Sequence, residues 1–170
     1  THGWEGGGEL HSYLAGHVPN YFYMDELETV KASALICNDI WCMPRSAPEG
    51  NPYLPIELIK NDVDVIFVAS NCNGNERDDL AKVWNENHLQ IFAREFGFFI
   101  VHSNSATTTS HQETDHIQCS SGIIGPDGQW IAKCKDSGMD YVTAEVDVLV
   151  RRPTPSGKQS AFQREGYTWK

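Results

Sequence analysis

Apolar positions along this chain fall into short continuous blocks, with one long amphipathic block among them. Residues 30–37 read Val-Lys-Ala-Ser-Ala-Leu-Ile-Cys; the second half is uninterrupted apolar sequence, as in a strand covered on both faces. Residues 62–70 (Asp-Val-Asp-Val-Ile-Phe-Val-Ala-Ser) and 98–103 predict two more strands of the same kind. Between them, from 79 to 96, Leu80, Val83, Trp84, Ile91, Phe92 and Phe96 recur near helical spacing, and Gly97 supplies a stop. Residues 53–60 predict a short helix with Pro55 in its first turn. Residues 118–124 and 129–134 predict a hairpin about Gly125-Pro126-Asp127-Gly128, where Asp-Gly has the right turn chemistry. Residues 141–147 predict a last strand, and Tyr21-Phe22-Tyr23-Met24 a short early one. The rest of residues 1–29 reads as irregular, 71–79 as a polar loop, and 105–115 as a Thr/Ser-rich loop. The order strand, helix, strand, long helix, strand, hairpin, strand predicts an α/β layered fold.

Composition narrows this picture. A hydrophobic share of 40% and an aromatic share of 11% argue against wholesale disorder. The 170 residues suit one domain and leave little room for two. No apolar run approaches the roughly 20 residues needed to cross a bilayer, and the glycine-rich, polar start does not read as a signal peptide. The net charge of −10 is unevenly placed. Residues 151–170 hold Arg151, Arg152, Lys158, Arg164 and Lys170 against Glu165, so this tail carries +4 and residues 1–150 carry −14. An acidic body repels phosphate backbones, which argues against nucleic-acid binding. The tail reads as extended and basic, suited to solvent or to subunit docking.

Five cysteines, Cys37, Cys42, Cys72, Cys119 and Cys134, form an odd set with no Cys-x-x-Cys pair, so zinc-ribbon and thioredoxin readings fail on spacing. A reducing, cytoplasmic compartment is expected. Cys37 sits where a buried strand breaks into a loop, the end of a strand at which ligands and catalytic groups gather in α/β sheets. Position alone leaves two readings open, a nucleophile on a sharp strand exit and a small apolar residue closing the strand. His102, His111, His116 and Cys119 match no standard zinc spacing, and the histidine loop reads as solvent-facing. No metal and no cofactor is expected.

Leu35-Ile36-Cys37-Asn38-Asp39 resembles the cysteine motif of the nitrilase, or carbon–nitrogen hydrolase, superfamily. Residues 62–70 resemble the family's next strand, with Val63 where Ala is usual. Ala93-Arg94-Glu95-Phe96-Gly97 through Ser103-Asn104 resembles its helix-to-strand passage, and Ser121-Gly122-Ile123-Ile124-Gly125-Pro126-Asp127-Gly128 its late hairpin. Four segments in the same order cover about residues 1–150. The resemblance implies a nitrilase-like α-β-β-α layered sandwich, incomplete at the N-terminus, with 151–170 as a tail beyond it.

The resemblance also implies chemistry. Family members use a Glu–Lys–Cys triad on amides, nitriles or carbamoyl groups: the thiolate attacks, the glutamate moves protons, and the lysine and a backbone N–H stabilise the oxyanion. Cys37 would be the nucleophile and the backbone N–H of Asn38 the oxyanion donor. The family's lysine lies in an Arg-Lys-x-His stretch. If His2 is that histidine, the lysine would precede Thr1 and the glutamate would lie further upstream. For the second glutamate that many members carry, Glu9 is the first choice and Glu5 the next. Lys31 opens the strand that ends in Cys37 and does not match the lysine position.

Substrate contacts are less constrained. Cys-Asn-Asp resembles the carbamoyl-amino-acid branch, but Ile40 and Trp41 stand where that branch places arginines, with Arg45 further on. Trp41 and Met43 suit an apolar pocket. Asn71, Asn73 and Asn104, at strand ends, could bond an amide. The expected function is hydrolysis of a small amide, N-carbamoyl compound or nitrile by a homo-oligomer, with no nucleic-acid or membrane partner. The alternative is a non-catalytic nitrilase-like module acting in binding or assembly. A third reading, Thr1 as an N-terminal nucleophile, rests only on its being the first residue.

Overall fold

The computed structural model describes residues 20–40, 54–74, 78–106, 116–136 and 138–148. Strand β1 spans Tyr21–Tyr23 and β2 spans Lys31–Ile36, followed at once by a 3-10 helix over Cys37–Ile40. Helix α1 (Leu54–Lys60) leads to β3 (Val65–Ser70) and a two-residue strand β4 (Asn73–Gly74). Helix α2 (Asp79–Phe96) leads to β5 (Phe99–Asn104), and then come β6 (His116–Ile117), β7 (Gly122–Ile124) and β8 (Trp130–Lys133).

Six strands form one mixed sheet in the order β1-β2-β3-β5-β7-β8. Its centre, β2-β3-β5, is parallel, and the outer pairings are antiparallel. Strands β4 and β6 make a separate small ladder. Parallel neighbours need a crossover between them. Helix α2 supplies the one between β3 and β5. Its ends are well specified: Asp78 accepts from Ala81 N at 2.9 Å, and Gly97 closes the helix at φ 75°.

One face of the sheet lies under the helices. Leu35, Ile66, Val68 and Ile100 point there with Leu58, Leu89, Phe92, Phe98 and Ile124, all buried. Removing each such side chain from water contributes roughly 1.5–3 kcal/mol. Among the described residues, the other face is covered at one end. Ala32, Val65 and Phe99 are buried, with Val148 packed against them, but two rungs further on Ile36 is 53% exposed and its register partners Ala69 and Ser103 are exposed as well.

Several expectations change here. The 30–37 strand is not covered on both faces, since Ala34 and Ile36 alternate outward. Residues 141–147 form no strand and have no ladder partner among the described residues; Val142 and Ala144 are half-buried and the others are exposed. The 71–79 loop contains β4. Helix α2 is rotated from the predicted face. It buries Asn85, Leu89, Phe92 and Ala93 and leaves Leu80, Val83, Trp84 and Ile91 exposed. Asn85 can face inward because its amide donates to Gln118 O at 2.9 Å. The tail 151–170 lies outside the described residues.

Candidate active site

The parallel register brings three strand exits side by side. Ile36 pairs with Ala69, and Ser70 pairs with Asn104. Cys37 is the first residue past β2, Cys72 the second past β3, and Asn104 the last of β5.

Cys37 has φ 45°, in the left-handed region. For a residue with a Cβ this costs of order 1–2 kcal/mol, and it sets the sharp exit from strand to 3-10 helix. Two contacts hold the turn. Asp39 Oδ2 accepts from Ile36 N at 3.0 Å. From α2, His88 Nε2 meets Ile40 O at 3.1 Å, and because a carbonyl only accepts, Nε2 carries the hydrogen. Burial lowers the His88 pKa, against the bond to Ile40, so the ring stays neutral. It packs between Trp84 and Phe92, with ring centroids at 5.7 and 6.4 Å.

The Cys37 thiol and burial push the Cys72 pKa well up, against the influence of Ser70. Asn104 pins the Cys72 backbone from both sides: its Oδ1 accepts from Cys72 N at 2.7 Å and its Nδ2 donates to Cys72 O at 3.2 Å. The same Nδ2 donates to Cys119 O at 2.8 Å. Behind this lies a serine–histidine pair. His102 Nδ1 donates to Ser120 O at 2.8 Å, leaving Nε2 to accept from Ser70 Oγ at 2.7 Å. His102 is 4% exposed, and burial lowers its pKa, against the bond to Ser120 and the charge of Glu86.

Glu86 on α2 anchors the strand-connecting loop. It accepts from Ser120 Oγ at 2.7 Å and from Lys133 Nζ at 2.7 Å, and it pairs with Lys82. Burial opposes its ionisation, but the bonds from Lys133, Lys82 and Ser120 outweigh that and bring its pKa down to about 2.

The structure sorts the sequence-derived site residues. Cys37 stands on a strand exit in the left-handed region. Asn38 is in the 3-10 helix that follows, whose first N–H groups have no partner inside the helix. Asn104 spends both hydrogens of Nδ2 on the backbone carbonyls of Cys72 and Cys119. Asn71 is exposed and accepts from Ser105 Oγ. Glu5, Glu9, Trp41, Met43, Arg45 and His111 lie outside the described residues. Among the described residues no three His, Cys, Asp or Glu side chains gather as a metal site, and no helix is long and apolar enough to cross a membrane. Sequence reasoning missed Cys72, Ser70 and Glu86. The i,i+4 spacing of Lys82 and Glu86 was a usable signal for the last; for Cys72 nothing in the sequence indicated its neighbour.

A parallel-centred sheet under helices, with a cysteine on a left-handed strand exit, defines an α/β protein with a thiol where its central strands end. The carbon–nitrogen hydrolase family model matches residues 2–155, and the chain belongs to that family. Solved structures with the same fold include an amidase from Nesterenkonia sp. AN1, as a cysteine-to-alanine mutant in complex with butyramide. It shares 16% identity at TM-score 0.57, over 80% of this chain and 45% of that one. Another structure of that amidase carries the acetamide moiety of fluoroacetamide on its active-site cysteine, at 17% identity and TM-score 0.56, over 78% and 43%. The glutamine-dependent NAD+ synthetase of Acinetobacter baumannii matches at 18% identity and TM-score 0.54, over 77% and 22%. The fold is therefore nitrilase-like, and this chain spans less than half the length of those it matches. No curated protein sequence matches it.

Proposed function

We propose that the chain carries the nucleophile of a carbon–nitrogen hydrolase, Cys37, acting on a small amide, N-carbamoyl compound or nitrile. The carrying observation is the left-handed Cys37 at a strand exit in a chain of this family. The thiolate attacks the carbonyl carbon, and the oxyanion that forms takes the backbone N–H of Asn38. The amine leaves with a proton, a thioester remains, and water releases the acid and the free thiol. A nitrile gives a thioimidate by the same attack. The base and the lysine are assigned by family resemblance to residues upstream of Thr1, with Glu9, or failing it Glu5, as the second carboxylate. Trp41 and Asn71 are proposed to meet the substrate. The exposed apolar residues Leu80, Val83, Trp84 and Ile91 on α2 support a homo-oligomer, and the thiols suit a reducing cytoplasm.

The test is ammonia release by the full-length protein from aliphatic amides, N-carbamoyl amino acids and nitriles, beside Cys37→Ala. The variant should fold as the parent does and lose turnover. Turnover retained by Cys37→Ala would remove this assignment.

A further inference from the structure

Ser70 and His102 share a hydrogen bond that the Cys37 chemistry does not use. Ser70 Oγ lies 2.7 Å from His102 Nε2. The far side of the ring fixes the direction of that bond. Ser120 O can only accept, so Nδ1 carries the ring hydrogen at 2.8 Å and Nε2 keeps its lone pair. The hydroxyl hydrogen of Ser70 therefore goes to Nε2. The competing acceptor, Asn104 Oδ1, stands further off at 3.4 Å and also takes Cys72 N–H at 2.7 Å. A serine oxygen bonded to an imidazole lone pair, with the ring oriented by a third group, is the arrangement that makes a hydroxyl nucleophilic.

The two residues sit in different surroundings. His102 is buried, which keeps the imidazole neutral and able to accept a proton, and Cys119 Sγ lies 3.7 Å from its Nδ1. Ser70 is only half-buried, between Ala69 and Asn71, which are both exposed. It is the last residue of β3, in the parallel centre of the sheet. Ligands gather at that end of such strands.

We propose that Ser70 is a second nucleophile, activated by His102, which takes the acyl group of small activated esters such as aryl acetates. Ser70 Oγ attacks the carbonyl carbon and its proton passes to His102 Nε2. The C–O bond to the leaving group breaks, and the departing oxygen takes the proton from Nε2. An ester on Ser70 remains. Water then gives a proton to Nε2 and attacks the same carbon; the acid leaves and Ser70 recovers its hydrogen. Esters are favoured over amides because the group orienting the ring is a neutral carbonyl, and the nearest charge favouring the imidazolium, Glu86, acts from beyond Ser120. A leaving group that departs as a stable anion needs less help from the acid.

The full-length protein is treated with diisopropyl fluorophosphate, which undergoes the same attack: an O–P bond forms, the P–F bond breaks, and fluoride leaves with the serine proton. Peptide mass spectrometry should find one diisopropylphosphoryl group, on Ser70, and none in Ser70→Ala. His102→Gln should slow the labelling about 100-fold or more. The unmutated protein gives a readout that needs no variant: the labelling rate is level near neutral pH and falls about tenfold per unit below the pKa of the imidazole. With p-nitrophenyl acetate, quenched in acid, acetyl should appear on Ser70 as an oxygen ester that dithiothreitol leaves in place, whereas acetyl on Cys37 is removed by thiol exchange. An unlabelled Ser70, equal rates in a folded His102→Gln, a rate flat into acid, or acetyl on thiols alone would each overturn the proposal and leave the bond as a tie between β3 and β5. Labelled Ser70 in a protein without amidase turnover keeps the second nucleophile and removes the hydrolase reading; amidase turnover with Ser70 unlabelled does the reverse.

Discussion

Asn104 offers the sharpest test of how the strand exits are held. Its side chain makes three hydrogen bonds to backbone, at 2.7 Å to Cys72 N, 3.2 Å to Cys72 O and 2.8 Å to Cys119 O. A net contribution of about 0.5–1.5 kcal/mol each puts the loss in Asn104→Ala at about 2–4 kcal/mol. With a urea slope of about 1–3 kcal/mol per molar, the unfolding midpoint should fall by roughly 0.7–4 M with the slope unchanged. Asn104→Asp separates geometry from size. It keeps an acceptor for Cys72 N–H but turns carboxylate oxygen toward two carbonyls, so it should destabilise at least as much as alanine. Ser103→Ala, one residue away and exposed, should stay within about 0.5 kcal/mol of the parent. If Asn104→Ala also stayed within that margin, the side chain would not be clamping these loops, and the geometry argued for Cys72 would lose its support.

Two further predictions concern the scaffold. A Cβ on Gly122 would sit 2.4 Å from Ala132 O and 2.8 Å from the Trp130 ring. Gly122→Ala should therefore cost more than the about 1–2 kcal/mol of left-handed strain expected for Gly97→Ala, where nothing lies within 4 Å; equal melting shifts would contradict the β7–β8 packing. Burial lowers the folded-state pKa of both His88 and His102 below the usual 6.5. The unfolded chain then takes up protons first as pH falls through 6.5, so stability is full above that value and declines below it, by at most about 1.4 kcal/mol per pH unit for each histidine. Urea midpoints at neutral and mildly acidic pH measure this, and a flat profile would mean that neither ring is held neutral.

Much of the sheet could be read from the chain because its central strands are apolar runs with clear ends. Val65, Ile66 and Val68 in β3, and Phe99, Ile100 and Val101 in β5, are β-branched or aromatic runs with polar ends, and Asp78 and Gly97 bound α2 by cap chemistry alone. Periodicity failed where polar side chains face inward. Asn85 occupies a buried position because Gln118 O is there to meet it, and a hydrophobic pattern has no term for a distant carbonyl. At 141–147 the pattern predicted a strand where none forms, because an unpaired segment with only Val142 and Ala144 half-buried has the same pattern as a short strand. Two-residue ladders such as β4–β6 carry no periodic signal at all. In the site, the position of Cys37 at a strand exit was legible, while the alignment of the β2, β3 and β5 exits depended on strand register, which single-strand patterns do not contain.

The register has a consequence for how the molecule comes into being. Apart from the local bond between Asp39 and Ile36, the ties described at the strand exits join distant stretches of chain: Asn104 and Cys72 are 32 residues apart, Ser70 and His102 also 32, and His88 and Ile40 48. Closing loops of this length costs entropy before any contact returns it. During synthesis, Cys37 emerges well before the helix that clamps its turn and the strand that pins its neighbour. The Cys37 thiol therefore spends its early life on an unstructured segment, and its environment is set only when the whole sheet closes.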